Sequence, residues 1–188
     1  MLIATDINWQ KQADVVIIGY GMAGAVAAIS ASEAGVSVLL GEKQSKNTIC
    51  NTSSMSGGGF ICSTDIEGAT KYLEALNKVN GDIAWTESDI IRIWAERSAE
   101  NKEWLESKGV KVKFNTSGGQ HPDLPGAESI KRYSCAGSGM AMMRRLYEYA
   151  DSKGIDVLYD TAASKILTNQ EGKVVGVQAI FQSKVINI

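Results

Sequence analysis

The hydrophobic pattern of the first forty residues predicts a strand, a helix and a second strand. Residues 15–18 form a short apolar run, residues 25–34 are small and helix-forming, and residues 36–40 form a second apolar run. Short apolar runs are typical of buried strands, and the stretch between them is long enough for a helix. This order is that of a strand–helix–strand unit, in which the two strands lie parallel.

Helical spacing of apolar residues and terminal signals predict three further helices, over residues 66–77, 86–108 and 140–153. The second of these is expected to begin with Thr86 as its N-cap and to end at Gly109. Its apolar side chains are expected to pack in the core: Ile90, Ile91, Trp94, Ala95, Trp104 and Leu105.

Short apolar segments predict strands over residues 110–114 and 155–159. Residues 163–168 and 174–180 look like two more strands, joined by the turn Asn169-Gln170-Glu171-Gly172-Lys173 as a β-hairpin. Polar segments without periodicity predict loops over residues 43–65 and 115–134. The first loop contains Ser56-Gly57-Gly58-Gly59, and successive glycines suit a backbone that passes flush against a flat ligand.

The turn between the first predicted strand and helix carries a glycine hexad, Gly19-Tyr20-Gly21-Met22-Ala23-Gly24. In such a turn the first glycine allows the tight bend, the second lets a pyrophosphate approach the backbone, and the third lets helix and strand pack closely. The amides and the positive dipole end of the helix then face the phosphates. The hexad in this context predicts a dinucleotide-binding site.

An acid stands at the end of the second predicted strand. Glu42 follows Gly24 by eighteen positions, close to the spacing of about 20 residues at which such an acid reaches a ribose 2′-hydroxyl. An acid there disfavours a 2′-phosphate, so NADP is not the expected ligand.

Composition and charge exclude several classes of function. The chain has 188 residues, 44% hydrophobic and 21% charged, with 19 basic against 21 acidic residues and a net charge of −2, so no nucleic-acid surface is expected. The apolar runs are far shorter than the roughly 20 residues that span a bilayer, and the start does not resemble a signal peptide. We therefore expect a cytoplasmic protein without a membrane segment.

The cysteines and the histidine do not have metal-site spacing. Cys50, Cys62 and Cys135 form no CxxC pair, and His121 is the one histidine, so a zinc site is not expected. Cys50 and Cys62 are interpreted as free thiols, although a bridge between them stays open.

Four segments resemble the flavoprotein-subunit family of fumarate reductase and succinate dehydrogenase, with its ketosteroid dehydrogenase and urocanate reductase relatives. They span nearly the whole chain in the family's order: the hexad with Glu42-Lys43, the run Asn51-Thr52-Ser53-Ser54-Met55-Ser56-Gly57-Gly58-Gly59, the helix from Gly139 to Gly154 with Ile155-Asp156-Val157, and Gly172-Lys173-Val174-Val175-Gly176-Val177. The resemblance implies an α/β fold, a Rossmann-like FAD-binding domain with a parallel sheet and a β-hairpin.

The resemblance also implies which residues hold FAD. The pyrophosphate would lie at Gly21 to Gly24, the adenosine ribose on Glu42, the adenine at Ala163 and the isoalloxazine against the loop from Ser53 to Gly58. The site residues carried over are Gly19, Gly21, Met22, Ala23, Gly24, Glu42, Lys43, Asn51, Thr52, Ser53, Met55, Ser56, Gly57, Gly58 and Ala163. Glycine amides near a flavin suit the negative charge that reduction places on the ring. The relatives' histidyl-flavin linkage would need a histidine in this loop, and there is none, so noncovalent FAD is expected.

Two departures from the family pattern limit what carries over. Relatives commonly have a glycine pair just ahead of the loop, where this chain has Ile49-Cys50. The family's capping domain, which binds and protonates substrate, and its C-terminal return segment are expected to be missing, so residues 1–188 are interpreted as the incomplete N-terminal portion of an FAD-binding domain. A homodimer or a partner polypeptide would then cover the open side of the sheet. No catalytic residue is assigned, and the roles of His121 and Arg132 stay open.

The leading hypothesis is the FAD-binding portion of an oxidoreductase that moves a hydride between flavin and a carbon–carbon bond activated by a carbonyl or carboxylate, with a small-molecule substrate in the full-length enzyme. Three alternatives remain. They are an NAD-dependent Rossmann dehydrogenase, disfavoured by the long glycine loop after Glu42; a noncatalytic truncated or split module; and a flavin disulfide reductase, disfavoured because Cys50 and Cys62 are twelve positions apart.

Overall fold

A computed structural model describes residues 7–78 and 86–188 of the chain. Their helices and strands follow in the order β1 Val15–Ile18, α1 Met22–Glu33, β2 Val38–Gly41, α2 Thr52–Met55, β3 Gly59–Ser63, α3 Ile66–Asn77, α4 Ser88–Ser98, α5 Asn101–Ser107, β4 Val112–Ser117, β5 Ile130–Cys135, α6 Ser138–Ser152, β6 Asp156–Leu158, β7 Thr161–Thr168, β8 Val174–Phe181 and β9 Lys184–Asn187. The described residues form two compact units. The first takes the chain up to Ser53 together with Leu146–Ile188, and the second is Ser54–Arg145.

The first unit contains the parallel sheet that the sequence predicts. Its strand order is β1-β2-β6, with Val15 opposite Val38 and Leu40 opposite Val157. The strands β1 and β2 are apolar throughout, apart from the glycine that ends β2, as is typical of parallel strands. Strand β2 is buried up to that glycine, whereas β1 is partly buried and ends at the exposed Ile18. Helix α1 connects β1 to β2 and buries Ala25, Ala28 and Ile29. The predicted α/β fold with a parallel sheet is confirmed.

The first unit also contains an antiparallel sheet, β7-β8-β9. The predicted hairpin is confirmed as β7 and β8, and Asn169 closes its turn by accepting hydrogen bonds at Oδ1 from the amides of Glu171 and Lys173. The third strand, β9, is not in the sequence prediction. The turn before it is made by Gln182 and Ser183 at φ of 48° and 62°. Hairpin turns with two positive φ values normally contain glycine or asparagine, so these two residues do not predict one.

The second unit contains the antiparallel sheet β3-β5-β4. The loops predicted over residues 43–65 and 115–134 are wrong where β3, α2, β5 and the end of β4 lie. Strand β5 pairs with both neighbours, with Ile61 and Thr116 on either side of Arg132, and a bulge lies between Phe114 and Thr116. These strands are stabilised by partners distant in sequence, so their own polar residues do not show a strand pattern.

The helix predicted over residues 86–108 is two helices, and this prediction is corrected. Helix α4 has Glu87, not Thr86, as its N-cap. At the break the amide of Glu100 donates to the carbonyl of Arg97, three residues earlier, before α5 begins. A bond to the third preceding residue tightens the turn and changes the direction of the helix.

The core of the second unit is built from buried residues of α3, α4, the segment before β5 and the first residue of β5: Ala69, Tyr72, Ala95, Ala127 and Ile130. Of the predicted core positions in α4 and α5, Ile91, Ala95 and Leu105 are buried. The prediction is wrong for Ile90 and Trp94, which are 52% and 38% exposed. In the part of the chain that the structure describes, no helix combines the length and the apolar character needed to cross a bilayer.

Candidate functional site

The glycine hexad forms the connection between β1 and α1, and the structure explains why two of its positions must be glycine. Gly19 adopts a φ of 91°, a left-handed conformation that favours glycine. A Cβ on Gly24 would overlap the carbonyl oxygen of Gly19. At Gly21 the situation differs, since a Cβ there would meet only the Ser53 hydroxyl, at an ordinary contact distance of 3.6 Å. The fold therefore requires glycine at positions 19 and 24 and tolerates a larger residue at position 21.

The N-terminus of α1 presents backbone donors, and its first turn carries no acidic residue. Gly21 is the N-cap, and the first turn consists of Met22, Ala23, Gly24 and Ala25. The amide of Met22 donates to Ser53 Oγ at 3.0 Å, and the amide of Ala25 donates to the Gly21 carbonyl. The amides of Ala23 and Gly24 have no carbonyl four residues earlier within the helix. Such donors, with the positive end of the helix dipole, suit an anion such as a diphosphate.

Glu42 lies at the end of β2 and is only 5% exposed. Its Oε2 accepts from the amide of Tyr20 at 2.7 Å, and its Oε1 accepts from the amide of Gln44 at 2.8 Å. Its own backbone links two other strands, because its amide donates to Leu158 and its carbonyl accepts from Thr161. The carboxylate thus holds the glycine turn, and a carboxylate retains further lone pairs for a hydroxyl donor.

A pocket of about 180 Å³ adjoins the turn in the first unit. Its lining comes from the ends of β1 and β2 and the start of β7: Ile18, Gly19, Gly41, Glu42, Lys43, Thr161, Ala162 and Ala163. Four of the predicted site residues, Gly19, Glu42, Lys43 and Ala163, are therefore brought together. Ala163 is 120 positions after Lys43 in sequence, so their meeting is a property of the fold.

A second group of side chains holds the hexad from another direction. Asn51 Nδ2 donates to the carbonyl oxygen of Tyr20 at 3.1 Å and to Tyr147 Oη at 2.8 Å. Tyr147 Oη donates to the same Tyr20 carbonyl at 2.7 Å. Sequence reasoning selected Asn51 but missed Tyr20 and Tyr147. A tyrosine at an unspecified position of the hexad, and another on an amphipathic helix, give no local signal of this role.

The tyrosine rings near the glycine turn lie close together and are partly or fully buried. The rings of Tyr20 and Tyr147 lie with centroids 4.3 Å apart, and Tyr159 lies 6.4 Å from Tyr20. Burial raises the pKa of Tyr20 and of Tyr147 above the usual value, and burial together with Asp151 raises the pKa of Tyr159 to about 12. The hydroxyl of Tyr147, like that of any tyrosine at neutral pH, is protonated and able to donate.

Residues 44–50, which include the departure from the family pattern at Ile49-Cys50, form a loop. The side chain of Gln44 at its start is hydrogen-bonded to the backbone of Cys50 at its end. Gln44 Nε2 donates to the carbonyl of Cys50, and Gln44 Oε1 accepts from the amide of Cys50 at 2.7 Å. This pair of bonds brings the chain back beside Glu42 and leads directly into Asn51. The thiol of Cys50 is free and its residue is exposed, while Cys62 and Cys135 are free and buried.

The glycine run lies in the second unit, where its members differ. Gly58 adopts a φ of 68°, and a Cβ there would come within 2.8 Å of the Ser138 backbone. Its carbonyl accepts from the amide of Cys135, and the Ser56 carbonyl accepts from the amide of Gly139. At Gly57 no described atom comes within 4 Å of an added Cβ. Gly58 thus packs against the start of α6, and the face of Gly57 is open.

Seven of the predicted site residues are exposed: Ala23, Lys43, Thr52, Met55, Ser56, Gly57 and Ala163.

The sequence leaves His121 and Arg132 without a role. His121 is exposed, and its amide donates to Tyr72 Oη at 3.2 Å. Arg132 Nε is buried and has no hydrogen-bond partner among the described residues. Within those residues no cluster of histidine, cysteine and carboxylate side chains has the makings of a metal site.

The sequence profile of the family described as FAD binding domain matches residues 14–185. Over 92% of its length the chain is 29% identical to the digoxin reductase of Eggerthella lenta, and over 87% it is 26% identical to the cytochrome-type fumarate reductase of Shewanella frigidimarina. It covers 33% and 29% of these relatives. The chain thus spans about a third of the length of the curated relatives it matches.

Solved structures share the fold. The 3-ketosteroid Δ4-(5α)-dehydrogenase of Rhodococcus jostii RHA1, in complex with 4-androstene-3,17-dione, superposes with a TM-score of 0.82 at 23% identity, over 98% of this chain and 45% of that one. The open conformation of a flavocytochrome c3 fumarate reductase superposes with a TM-score of 0.74, also at 23% identity, over 96% of this chain and 33% of that one. At this level of identity the likeness is one of fold.

Proposed function

This chain belongs to the FAD binding domain family, and on that premise we propose that it holds FAD noncovalently and serves an oxidoreductase that transfers a hydride to or from a carbon–carbon bond. The observation that carries the proposal is the pocket beside the glycine turn. Gly19, Glu42, Lys43 and Ala163 line it together. In the proposal the adenosine occupies this pocket, with its ribose on Glu42 and its adenine on the backbone of Ala163.

The turn and the start of α1 would hold the diphosphate. Gly21 has no side chain between the backbone and a ligand, and the amides of Ala23 and Gly24 have no carbonyl four residues earlier within the helix. Ser53 lies beside this arrangement, because its hydroxyl accepts from the amide of Met22. All of these residues lie in the first unit.

The residues of the second unit would serve the flavin end. Met55, Ser56 and Gly57 are exposed, and Gly57 has an open face. Bound FAD would supply the hydride donor or acceptor, which no amino-acid side chain provides. Backbone amides in a glycine segment would favour the negative charge of the reduced ring.

The substrate class follows from the relatives. Fumarate reductase and the 3-ketosteroid dehydrogenase are named for substrates in which a carbon–carbon bond is conjugated with a carboxylate or a ketone. We extend that class, a small molecule with an activated carbon–carbon bond, to the full-length enzyme in which this chain takes part.

The experiment is purification of the chain with added FAD, followed by gel filtration and acid precipitation. We expect flavin absorbance to coelute with the protein, to resist competition by NAD, and to pass into the supernatant on precipitation. Flavin retained in the precipitate would contradict noncovalent binding. Absence of coeluting flavin, or its displacement by NAD, would contradict the FAD site.

Hydride transfer is tested on the full-length enzyme in which this chain takes part, loaded with FAD and reduced chemically without oxygen. We expect fumarate or a 3-ketosteroid with a ring double bond to reoxidise the flavin in a single turnover. A reduced holoprotein that neither acceptor reoxidises would instead identify a noncatalytic binding module.

A further inference from the structure

The two peptide groups on either side of Tyr20 are held by side chains outside the hexad. The peptide that joins Gly19 to Tyr20 is held through its N–H, which donates to Glu42 Oε2 at 2.7 Å. The peptide that joins Tyr20 to Gly21 is held through its C=O, which accepts from Tyr147 Oη at 2.7 Å and from Asn51 Nδ2 at 3.1 Å. Glu42 belongs to the expected ribose site, whereas Tyr147 has no role in the proposed function.

The hydrogen bonds to the Tyr20 carbonyl also fix the direction of the next amide. A trans peptide is planar, with its C=O and N–H pointing to opposite sides. When the Tyr20 oxygen points to Tyr147 and Asn51, the Gly21 N–H must point away from them. The two side chains therefore set the direction of a backbone donor that neither of them touches.

Without these two bonds the peptide would have a second orientation. Rotating the peptide between Tyr20 and Gly21 by half a turn changes φ at position 21 from its observed −76° to a positive value, and glycine adopts positive φ readily. In the proposal, glycine at position 21 gives a phosphate access to the backbone. The same glycine also permits the peptide to rotate so that the Gly21 N–H points away from the phosphate.

We propose that Tyr147 and Asn51 are positioning residues for the dinucleotide: they hold the Tyr20–Gly21 peptide so that the Gly21 N–H faces the diphosphate. The proposal rests on the proposed FAD site. Tyr147 is suited to the role because its ring is fixed against Tyr20, with centroids 4.3 Å apart. Its hydroxyl is protonated at neutral pH, as in any tyrosine, and is therefore a donor.

The test compares three variants of the chain that preserve most of the packing. Tyr147→Phe keeps the ring and removes the hydroxyl, and Asn51→Ala removes the second donor. Tyr159→Phe is the matched control, because it removes a hydroxyl from the same group of rings without touching the Tyr20 carbonyl. FAD, ADP and adenosine are titrated into each protein by calorimetry, and thermal unfolding of each apoprotein is recorded.

We expect Tyr147→Phe and Asn51→Ala each to weaken FAD and ADP by about fivefold or more, as for the loss of a hydrogen bond of about 1 kcal/mol. Adenosine, which has no phosphate, should bind all four proteins alike, and Tyr159→Phe should match the wild type for every ligand. A merely structural role would lower the unfolding temperature without separating ADP from adenosine.

The outcomes that overturn the proposal are distinct from those that overturn the FAD site. If the wild type binds FAD and both variants bind it within twofold of the wild type, the positioning role is wrong. It is also wrong if adenosine is weakened as much as ADP, or if both variants fail to fold. If the wild type itself does not bind FAD, the proposed function has failed.

Discussion

Glu42 and Tyr20 are joined by a hydrogen bond in which the buried carboxylate at the end of β2 accepts the backbone N–H inside the glycine turn, at 2.7 Å. The acid that the sequence predicts as a ribose ligand is therefore also a structural residue of the glycine turn. Its second oxygen accepts from Gln44. A substitution at this position is expected to change folding as well as binding.

Glu42→Gln is predicted to destabilise the chain by about 1.5–3 kcal/mol, the range for hydrogen bonds to a charged group. The amide retains one acceptor oxygen, and its NH₂ group would face the N–H of Tyr20 or Gln44. Urea denaturation of the apoprotein measures the change, with Glu171→Gln in the exposed hairpin turn as control. An unchanged free energy of unfolding would show that Glu42 does not hold the turn.

Gly21→Ala and Gly24→Ala are predicted to separate binding from folding within one turn. At Gly21 the new Cβ makes an ordinary contact at 3.6 Å, so the apoprotein should unfold at the wild-type denaturant concentration while FAD affinity falls. At Gly24 the Cβ overlaps the Gly19 carbonyl, and overpacking of this kind costs about 1–3 kcal/mol or more.

Denaturation curves and FAD titrations of the two variants test this pair together. Equal stability of both variants would contradict the assigned contact between Gly24 and Gly19. Unaltered FAD affinity in Gly21→Ala, or stoichiometric flavin retained by Gly21→Val, would contradict the position assigned to the diphosphate.

Tyr20→Phe is predicted to raise the free energy of unfolding by about 1 kcal/mol, because it removes a buried polar group that is left unpaired. Tyr20 Oη is buried and has no hydrogen-bond partner among the described residues. Tyr147→Phe provides the contrast, since it removes a hydroxyl that donates to Tyr20 and should lower stability. Chemical denaturation of both variants measures the difference, and a loss of stability in Tyr20→Phe would mean that its hydroxyl makes a stabilising contact.

Stability in acid is predicted to depend on Asp14. The side-chain and backbone hydrogen bonds from Ser37 hold the pKa of Asp14 below its ordinary value of 3.8. A carboxyl whose pKa is lower in the folded state stabilises that state above its unfolded pKa, and this contribution is lost as the pH falls through the folded pKa. The difference in unfolding temperature between wild type and Asp14→Asn should therefore be present at neutral pH and close below pH 3.8. A difference that is independent of pH would contradict the assignment.

The sequence predicts the part of the fold that is encoded locally. Residues 15–18 and 66–77 have the predicted bounds, and the hexad forms the expected strand–turn–helix because Gly19 and Gly24 act within the turn. Strands β3 and β5 were missed because each is stabilised by the other, about 70 residues away. Strand β9 was missed because the turn before it is made by Gln182 and Ser183 at positive φ. Glutamine and serine are not the residue types from which such a turn is predicted.

In the candidate site, too, the residues of a local motif are predicted from the sequence, and a residue brought in by packing is not. Gly19, Gly24 and Glu42 follow from the spacing of the motif, and Ala163 follows from the resemblance. Tyr147 follows from neither, because its hydroxyl reaches the Tyr20 carbonyl 127 positions away in sequence. A contact of that separation is set by how α6 packs, and a helical pattern specifies only which face of α6 is buried.

The most direct measurement is calorimetric titration of the purified chain with FAD, with NAD titrated in parallel. The account predicts one FAD bound per chain, with NAD much weaker, because the proposed site places the diphosphate at the glycine turn and the adenosine ribose on Glu42. A chain that is folded by circular dichroism and yet binds no FAD, or binds NAD as tightly, would contradict it.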